Sequence, residues 1–249
     1  MGYIKTDGIV IREVNTGESD KIITIFTKSS GKVSAFAKSA RRPRSKLVAG
    51  TQLLCYGSFV LFKGRDLYSI NSCDVIEPFY EMRNDIVRLT YSAYIVEIIN
   101  DIIQEEQPAS KSLQLLLNTL YMLAKTGKSP ELITRIFEMR FLSIMGYAPG
   151  VRGCISCGRE EFNGAYFSFK ECGLLCGECV TADDPCAERI SPGTVRALRH
   201  IVCSGIKELF NFELSQSVLG ELGRISRRYL KDRLDKDYKK LEFLKTLEV

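Results

Sequence analysis

Four cysteines in the second half of the chain have the spacing of a metal site. They form two pairs with two intervening residues each, separated by 18 residues: Cys154, Cys157, Cys176 and Cys179. A two-residue spacer lets both sulfurs of a tight turn reach one ion, and two such pairs are typical of a four-thiolate zinc site. Because four thiolates complete a tetrahedron, the pattern predicts a structural Zn²⁺ ion with no open position for chemistry.

Other uses of these thiols stay open at this point. One is a pair of disulfides or free thiols, and another is redox catalysis by a CxxC pair, although neither pair has a thioredoxin-like context. Cys172 lies four residues before Cys176, but it breaks the paired spacing and is left out of the predicted ligand set. The first residues lack the apolar core of a signal peptide, which favours reduced thiols and metal binding over disulfides.

The single histidine narrows the enzyme classes. Any Ser-His-Asp or Cys-His arrangement would have to use His200, and a three-histidine zinc site is excluded. The chain also lacks the G-x4-G-K-[ST] pattern of a phosphate-binding loop. A zinc-assisted hydrolase would need an open metal position and a carboxylate base. We therefore expect a protein that is not an enzyme.

A basic stretch is the second feature with clear chemistry. The 45 residues between Asp20 and Asp66 contain ten lysines and arginines and no acid, although the net charge of the 249-residue chain is only +5. The densest part is residues 38–46, with five cations in nine positions. A solvated loop is the ordinary explanation of one basic cluster. The missing acids favour a phosphate-binding surface, because a solubilising surface mixes both signs.

Single-strand binders combine cations for the backbone with flat side chains for the bases. The residues predicted to bind nucleic acid in this way are Lys32, Lys38, Arg41, Arg42, Arg44, Lys46 and, as a stacking platform, Phe36. Tyr56, Phe59 and Tyr68 are further candidate platforms, although aromatic residues of a barrel are more often core. A second basic set is either another DNA contact, a dock for an acidic peptide or a solvated helix face: Arg224, Arg227, Arg228, Lys231, Arg233, Lys239 and Lys240.

The sequence on both sides of the basic residues 38–46 predicts β-strands, and these strands must position the cations. Five runs suit strands: residues 8–14, 21–27, 32–38, 52–62 and 67–76. Five short strands in under 80 residues predict a small closed barrel of the OB type, with an SH3-like barrel as the alternative. Pro43 disfavours a strand within the basic segment, which therefore becomes a loop between strands.

The rest of the chain reads as mainly helical. Helices are predicted over residues 82–103, 113–124 and 129–145, from Ser191 onward, and in one or two pieces over about 215–247. The predicted fold class is thus α+β multidomain: an OB-type barrel over residues 1–79, a helical domain over 80–149 and 191–249, and a four-cysteine zinc module inserted at 150–190. No run of apolar residues is long enough to span a membrane.

The barrel, the helical domain and the cysteine module follow one another along the chain, and several short motifs lie within them. The motifs are residues 6–12, 17–22, 37–45, 147–149 and 167–168. The order resembles the RecO family of bacterial DNA repair proteins, which are recombination mediators, and the resemblance covers essentially the whole chain. Two positions depart from the family pattern, since Ser39 and Cys172 stand where the family usually has glycine.

The resemblance implies an OB-fold that binds single- and double-stranded DNA and anneals complementary strands. It implies a role in the RecF pathway of DNA recombination after DNA damage, helping to load the recombinase RecA onto DNA coated by single-strand-binding protein. The implied partners are RecR and the acidic C-terminal tail of single-strand-binding protein, and the implied location is the bacterial cytoplasm, at the nucleoid and not at a membrane. The alternative is a zinc-ribbon OB-fold factor that binds RNA.

Overall fold

A computed structural model describes residues 2–65, 67–161, 164–181 and 184–246. Asp66 at the end of the acid-free stretch and Leu247 at the end of the last predicted helix lie outside those ranges. The chain forms two compact units, one running to Thr126 and resuming at Lys240, the other from Gly127 to Lys239. No helix in the described ranges is long and apolar enough to cross a membrane.

The first unit begins with the predicted five-stranded closed barrel. Its strands follow one another in the order β1-β2-β3-β5-β4, and only β3 and β5 pair in parallel. This is the arrangement of an OB-type barrel. Inward-facing residues of all five strands fill its interior, among them Ile25, Phe59 and Leu61, which are essentially inaccessible to water. The strands are β1 (Tyr3–Thr16), β2 (Asp20–Thr27), β3 (Gly31–Ala37), β4 (Tyr56–Lys63) and β5 (Tyr68–Glu77).

The first strand is longer than its apolar run predicts. Its early residues pair with β4 and its later residues pair with β2, and the register shifts at a bulge between Val10 and Arg12. One strand therefore serves two neighbours as it bends around the barrel. Only its middle is buried, and that middle is what the hydrophobic pattern detects. The predicted start of β4 at residue 52 is also early, because residues 52–55 form turns.

The remaining elements of the first unit are helical. Asp85 caps the helix that follows, because its carboxylate accepts hydrogen bonds from the N–H groups of Val87 and Arg88. The connection after that helix runs along β3, where Lys32 N–H donates to the carbonyl oxygen of Gln104 at 3.2 Å. The helices are a short 3-10 turn (Tyr80–Asn84), α1 (Ile86–Ile102), α2 (Ser110–Lys125) and the one-turn α6 (Glu242–Lys245).

The second unit combines three helices with a small sheet. Two of its helices begin where the sequence predicts, and Ser129 and Ser191 each cap a helix that has proline in its first turn. The sheet has the order β7-β6-β8 and carries the second cysteine pair at the end of β7. The elements are α3 (Pro130–Ile144), β6 (Ala165–Ser168), β7 (Gly173–Cys176), β8 (Glu188–Ile190), α4 (Pro192–Cys203) and α5 (Gln216–Leu234).

A buried ion pair lies on α3 of this unit. The guanidinium of Arg135 is 2.5 Å from the carboxylate of Glu138, and both side chains are fully inaccessible to water. Gly223 of α5 lies opposite, where an added Cβ would come within 3.6 Å of Arg135 Nε. The arginine side chain therefore packs directly against α5 at this glycine.

Candidate nucleic-acid interface and metal centre

The basic segment forms the loop that the sequence predicts. It runs from the end of β3 through a series of tight turns, one closed by Arg42 N–H on the carbonyl of Ser39 at 3.1 Å. Ala40 turns back into the barrel and packs in its core, where it is almost wholly buried. The buried alanine fixes the base of the loop while the cations on either side of it project outward. We call residues 38–46 the basic loop.

The cations of the basic loop are exposed and lack acidic partners. Among the described residues, no carboxylate oxygen lies within 4.0 Å of their side-chain nitrogens, whereas two other cations of the acid-free stretch pair with acids from outside it, Lys21 with Glu13 and Lys63 with Glu106. The positive charge of the loop is therefore available to an external anion. The five cations concerned are Lys38, Arg41, Arg42, Arg44 and Lys46.

The hairpin turn between β1 and β2 lies against the start of the basic loop. Arg41 donates its N–H to the carbonyl oxygen of Ser19 at 2.9 Å and its guanidinium to that of Glu18 at 3.2 Å. The Ser39 N–H donates to Asp20 Oδ1 at 2.6 Å. These hydrogen bonds thus join two segments that are about 20 residues apart in sequence.

The structure separates the other predicted binding residues. Phe36 lies on the outer face of the barrel, half-buried, at the end of β3 that leads into the basic loop. Lys32 lies at the opposite end of the same strand, and its ammonium donates to the carbonyl oxygen of Asn100 at the end of α1. Phe36 thus lies at the end of the strand next to the basic loop, and Lys32 lies at the other end.

The other candidate stacking residues, which are Phe59, Tyr68 and Tyr56, lie in different environments. Phe59 is fully buried in the barrel core, so its interpretation as a platform is wrong. Tyr68 is partly buried against that core, and the ammonium of Lys63 lies 5.8 Å from its ring centre. Tyr56 is half-buried on β4. None of the three combines the exposure and the neighbourhood of Phe36.

The C-terminal basic set is largely neutralised by acids. Arg228 lies 3.0 Å from the carboxylate of Glu188, Lys231 lies 3.3 Å from that of Asp237, and Lys240 lies 3.5 Å from that of Glu97. Arg227 and Arg233 are also engaged, with Glu131 and with the carbonyl of Phe169. This pattern favours a structural helix face over a second DNA contact.

The four paired cysteines converge on one point. The sulfur atoms of Cys154, Cys157, Cys176 and Cys179 all lie within 4.8 Å of one another. Those of Cys157 and Cys176 are 3.9 Å apart. A tetrahedral ion with Zn–S bonds of about 2.3 Å would separate its sulfurs by about 3.8 Å. The group is therefore positioned to bind a metal ion.

Backbone hydrogen bonds hold the two cysteine turns in place. The Cys154 N–H donates to the carbonyl of Arg159 at 2.8 Å, and the Cys179 N–H donates to that of Cys176 at 3.0 Å. Gly158 closes the first turn with a φ of +76°, which favours glycine. Arg159 and Glu178 form a salt bridge of 3.0 Å, which links the two turns.

The thiols of the cluster differ in acidity. Burial opposes ionisation of Cys154, but hydrogen bonds from the backbone N–H groups of Cys157, Cys176 and Ser156 outweigh it and lower the pKa to about 6. The pKa of the Cys179 thiol is raised to about 12, chiefly by its contact with the sulfur of Cys176. The cluster thus favours one thiolate before any ion is present, and a bound cation would favour the rest.

Cys172 lies outside the cluster. Its sulfur is 3.1 Å from a guanidinium nitrogen of Arg233 on α5. The neighbouring Gly173 packs so closely that a Cβ there would lie 2.7 Å from the carbonyl oxygen of Gly150. The exclusion of Cys172 from the ligand set therefore agrees with the structure.

Two family models match the chain, one for each part. The model of the recombination protein O N terminal matches residues 1–79, which contain the barrel, and that of the recombination protein O C terminal matches residues 83–242. The chain belongs to the RecO family. Its relatives include the DNA repair protein RecO of Acetivibrio thermocellus, which is 61% identical over 248 residues covering all of this chain and 98% of that protein. Those of Caldicellulosiruptor saccharolyticus and Alkaliphilus metalliredigens are 38% and 36% identical over nearly their full lengths.

The RecO-family assignment confirms the resemblance. The two positions at which this chain departs from the family pattern share one structural property. Ser39 and Cys172 both adopt left-handed backbone conformations, with φ of +55° and +59°. Glycine adopts such angles without strain, which accounts for the glycine usual at both positions. Sequence reasoning assigned no role to Asp20, although it belongs to one of the family-like motifs. Nothing local in the sequence links that residue to a loop 19 positions later.

Proposed function

We propose that this chain binds and anneals single-stranded DNA and helps to load a recombinase onto DNA coated by single-strand-binding protein. The observation that carries the proposal is the basic loop beside Phe36: five exposed cations, with no acidic partner in the described part of the chain, next to an outward-facing aromatic ring. Cations track the phosphate backbone and a flat ring stacks on bases, which is the combination that single strands require. DNA repair by the RecO-named relatives supports DNA as the nucleic acid.

Annealing by this surface requires no catalytic residue. Two complementary strands repel each other through their phosphates, and neutralisation of that charge at one surface lowers the barrier to their encounter. We infer that the protein is not an enzyme and that its double-stranded DNA affinity comes from the same loop. Lys32 has no part in this interface, because its ammonium is held by the end of α1.

The proposed metal ion has a structural role. We infer that Cys154, Cys157, Cys176 and Cys179 hold a structural Zn²⁺ ion, because four sulfurs at this spacing suit its tetrahedral preference and leave no site for substrate. The ion would fix the two cysteine turns to the sheet of the second unit.

The partners in this proposal come from the family. We infer that RecR and the acidic C-terminal tail of single-strand-binding protein bind this chain. We also infer that the chain helps to load the recombinase RecA without being its direct binding partner. The corresponding location is the cytoplasm, at the nucleoid.

A strand-annealing assay tests the proposal. Complementary oligonucleotides, bare or precoated with single-strand-binding protein, are mixed with the protein, and duplex formation is followed by fluorescence. The proposal requires faster annealing on both substrates and no change when a matched RNA is added at equal concentration. Strong inhibition by RNA, or no acceleration on either DNA, would contradict it.

A further inference from the structure

Asp20 is an acid at the foot of a basic surface, and simple electrostatics gives it no reason to be there. A carboxylate beside a phosphate-binding loop repels DNA and weakens binding. Asp20 nevertheless contacts the loop directly, since its Oδ1 accepts a hydrogen bond from the backbone N–H of Ser39 at 2.6 Å. Its side chain is half-buried, and it is the first residue of β2, paired with Thr16 across the hairpin.

The residue that Asp20 contacts is in a strained conformation. Ser39 has a φ of +55°, which carries a steric cost for any residue with a Cβ. A hydrogen bond from its N–H to an ionised carboxylate is of the short, charge-assisted kind and offsets that cost. The hydroxyl of Ser19 also donates to Asp20 Oδ1, at 3.3 Å, and helps to hold the carboxylate in place.

The direction of the basic loop depends on this left-handed residue. The chain reverses at Ser39, so that the next residue, Ala40, enters the barrel core and Arg41 lies over the hairpin turn. Without the carboxylate, Ser39 would relax to an ordinary negative φ and the residues after it would point elsewhere. The loop cations would then keep their charge and lose their common orientation.

We propose that Asp20 is a positioning residue for nucleic-acid binding: by holding Ser39 in the left-handed conformation, its carboxylate orients the cations of the basic loop toward the DNA backbone. The inference rests on the proposed DNA-binding function of the loop. It predicts an inversion of the electrostatic expectation, because removing this acceptor together with its negative charge should weaken DNA binding rather than strengthen it.

Three variants of the full-length chain separate orientation from charge. Asp20→Ala removes both the charge and the acceptor, and we expect about a tenfold loss of affinity for a labelled oligo-dT, as expected for a lost hydrogen bond to a charged group. Asp20→Asn removes the charge but keeps an oxygen acceptor at the same place, and it should bind within about twofold of the wild type. The double variant D20A/S39G should recover most of the loss, because glycine holds a positive φ without help.

Limited trypsin digestion without DNA gives a second, independent measurement. Asp20→Ala should be cut after the loop lysines and arginines several-fold faster than the wild type and Asp20→Asn, with equal thermal melting showing that the barrel is intact. The proposal is overturned if Asp20→Ala binds DNA as tightly as the wild type or is cut no faster. Equal strengthening of DNA binding by Ala and Asn would assign the effect of Asp20 to its charge alone and also overturn the proposal. If the wild type fails to bind oligo-dT, the proposed function fails, and the digestion still decides whether Asp20 anchors the loop.

Discussion

The sulfur of Cys172 lies 3.1 Å from a guanidinium nitrogen of Arg233, although Cys172 is only four residues from the metal-site cysteine Cys176. Arg233 also donates to the carbonyl oxygen of Phe169 at 3.2 Å, so it holds the whole turn before β7 against α5. Cys172 is therefore turned toward a helix, and the metal-site group found among the described residues consists of the four paired cysteines.

This separation predicts how the metal content responds to single substitutions. Cys172→Ser should retain one metal ion per chain, because the ligand set is intact. Cys176→Ser should lose most of the bound metal, because it removes one of four thiolates. Atomic emission on the purified proteins measures both. Metal loss in Cys172→Ser, with full metal content in Cys176→Ser, would mean that the ligand set is wrong.

Metal removal should affect the second unit and spare the DNA interface. A structural ion contributes folding energy to its module, so a strong chelator should lower the melting temperature by several degrees. The hydrogen bonds of the basic loop lie within the first unit, so oligonucleotide affinity measured well below the melting temperature should stay within about twofold. A loss of DNA binding in step with metal loss would place the ion in the interface and contradict a structural role.

The buried ion pair of α3 should be costly to break on one side. Glu138→Gln takes the 2.5 Å partner from the buried Arg135 charge and leaves it the more distant carboxylate of Glu131 at 3.8 Å, and we expect about 3 kcal/mol lower stability. The double variant R135M/E138L removes both charges and should lie close to the wild type. Urea unfolding measures both. The matched control is Glu13→Gln, which breaks the more exposed pair with Lys21 and should cost under about 1 kcal/mol. Equal losses in Glu138→Gln and the control would refute the argument.

Phe36 should matter for single strands more than for duplexes. Its ring is the outward-facing aromatic group beside the basic loop, and base stacking on such a ring is worth about 1–3 kcal/mol. Phe36→Ala should therefore weaken single-strand binding roughly tenfold and leave duplex binding nearly unchanged, while Phe36→Tyr keeps both. Fluorescence anisotropy with the two DNA forms checks this. Equal losses on both forms would indicate a folding defect or a purely electrostatic interface.

The sequence predicts the elements that depend on local pattern. The five strands, the helix starts at serines 129 and 191, and the cysteine spacing all follow from periodicity, side-chain chemistry and turn geometry. The full length of β1 does not, because the residues at its two ends pair with neighbouring strands but are exposed and carry no core pattern.

The contacts that long-range folding creates were beyond local reasoning. Phe59 has the same residue type as Phe36, and only the strand register decides that one is core and the other faces outward. Lys32 belongs to the same basic stretch as the loop, yet a carbonyl 68 residues away holds it. In both cases the residue's role is set by what the fold brings beside it.

The central claim is that the basic loop is the DNA-binding surface, and charge reversal within it is the most direct test. The triple variant R41E/R42E/R44E is compared with K207E/R224E/K239E, which makes the same change of charge at exposed positions of the second unit.

Oligo-dT affinity is measured by anisotropy over a salt series. If about five phosphates are neutralised, log K should fall against log salt with a slope of about −3.5 for the wild type. The account predicts that the loop variant stays folded and loses binding while the control binds within about threefold of the wild type. Near-normal binding by the folded loop variant would contradict it.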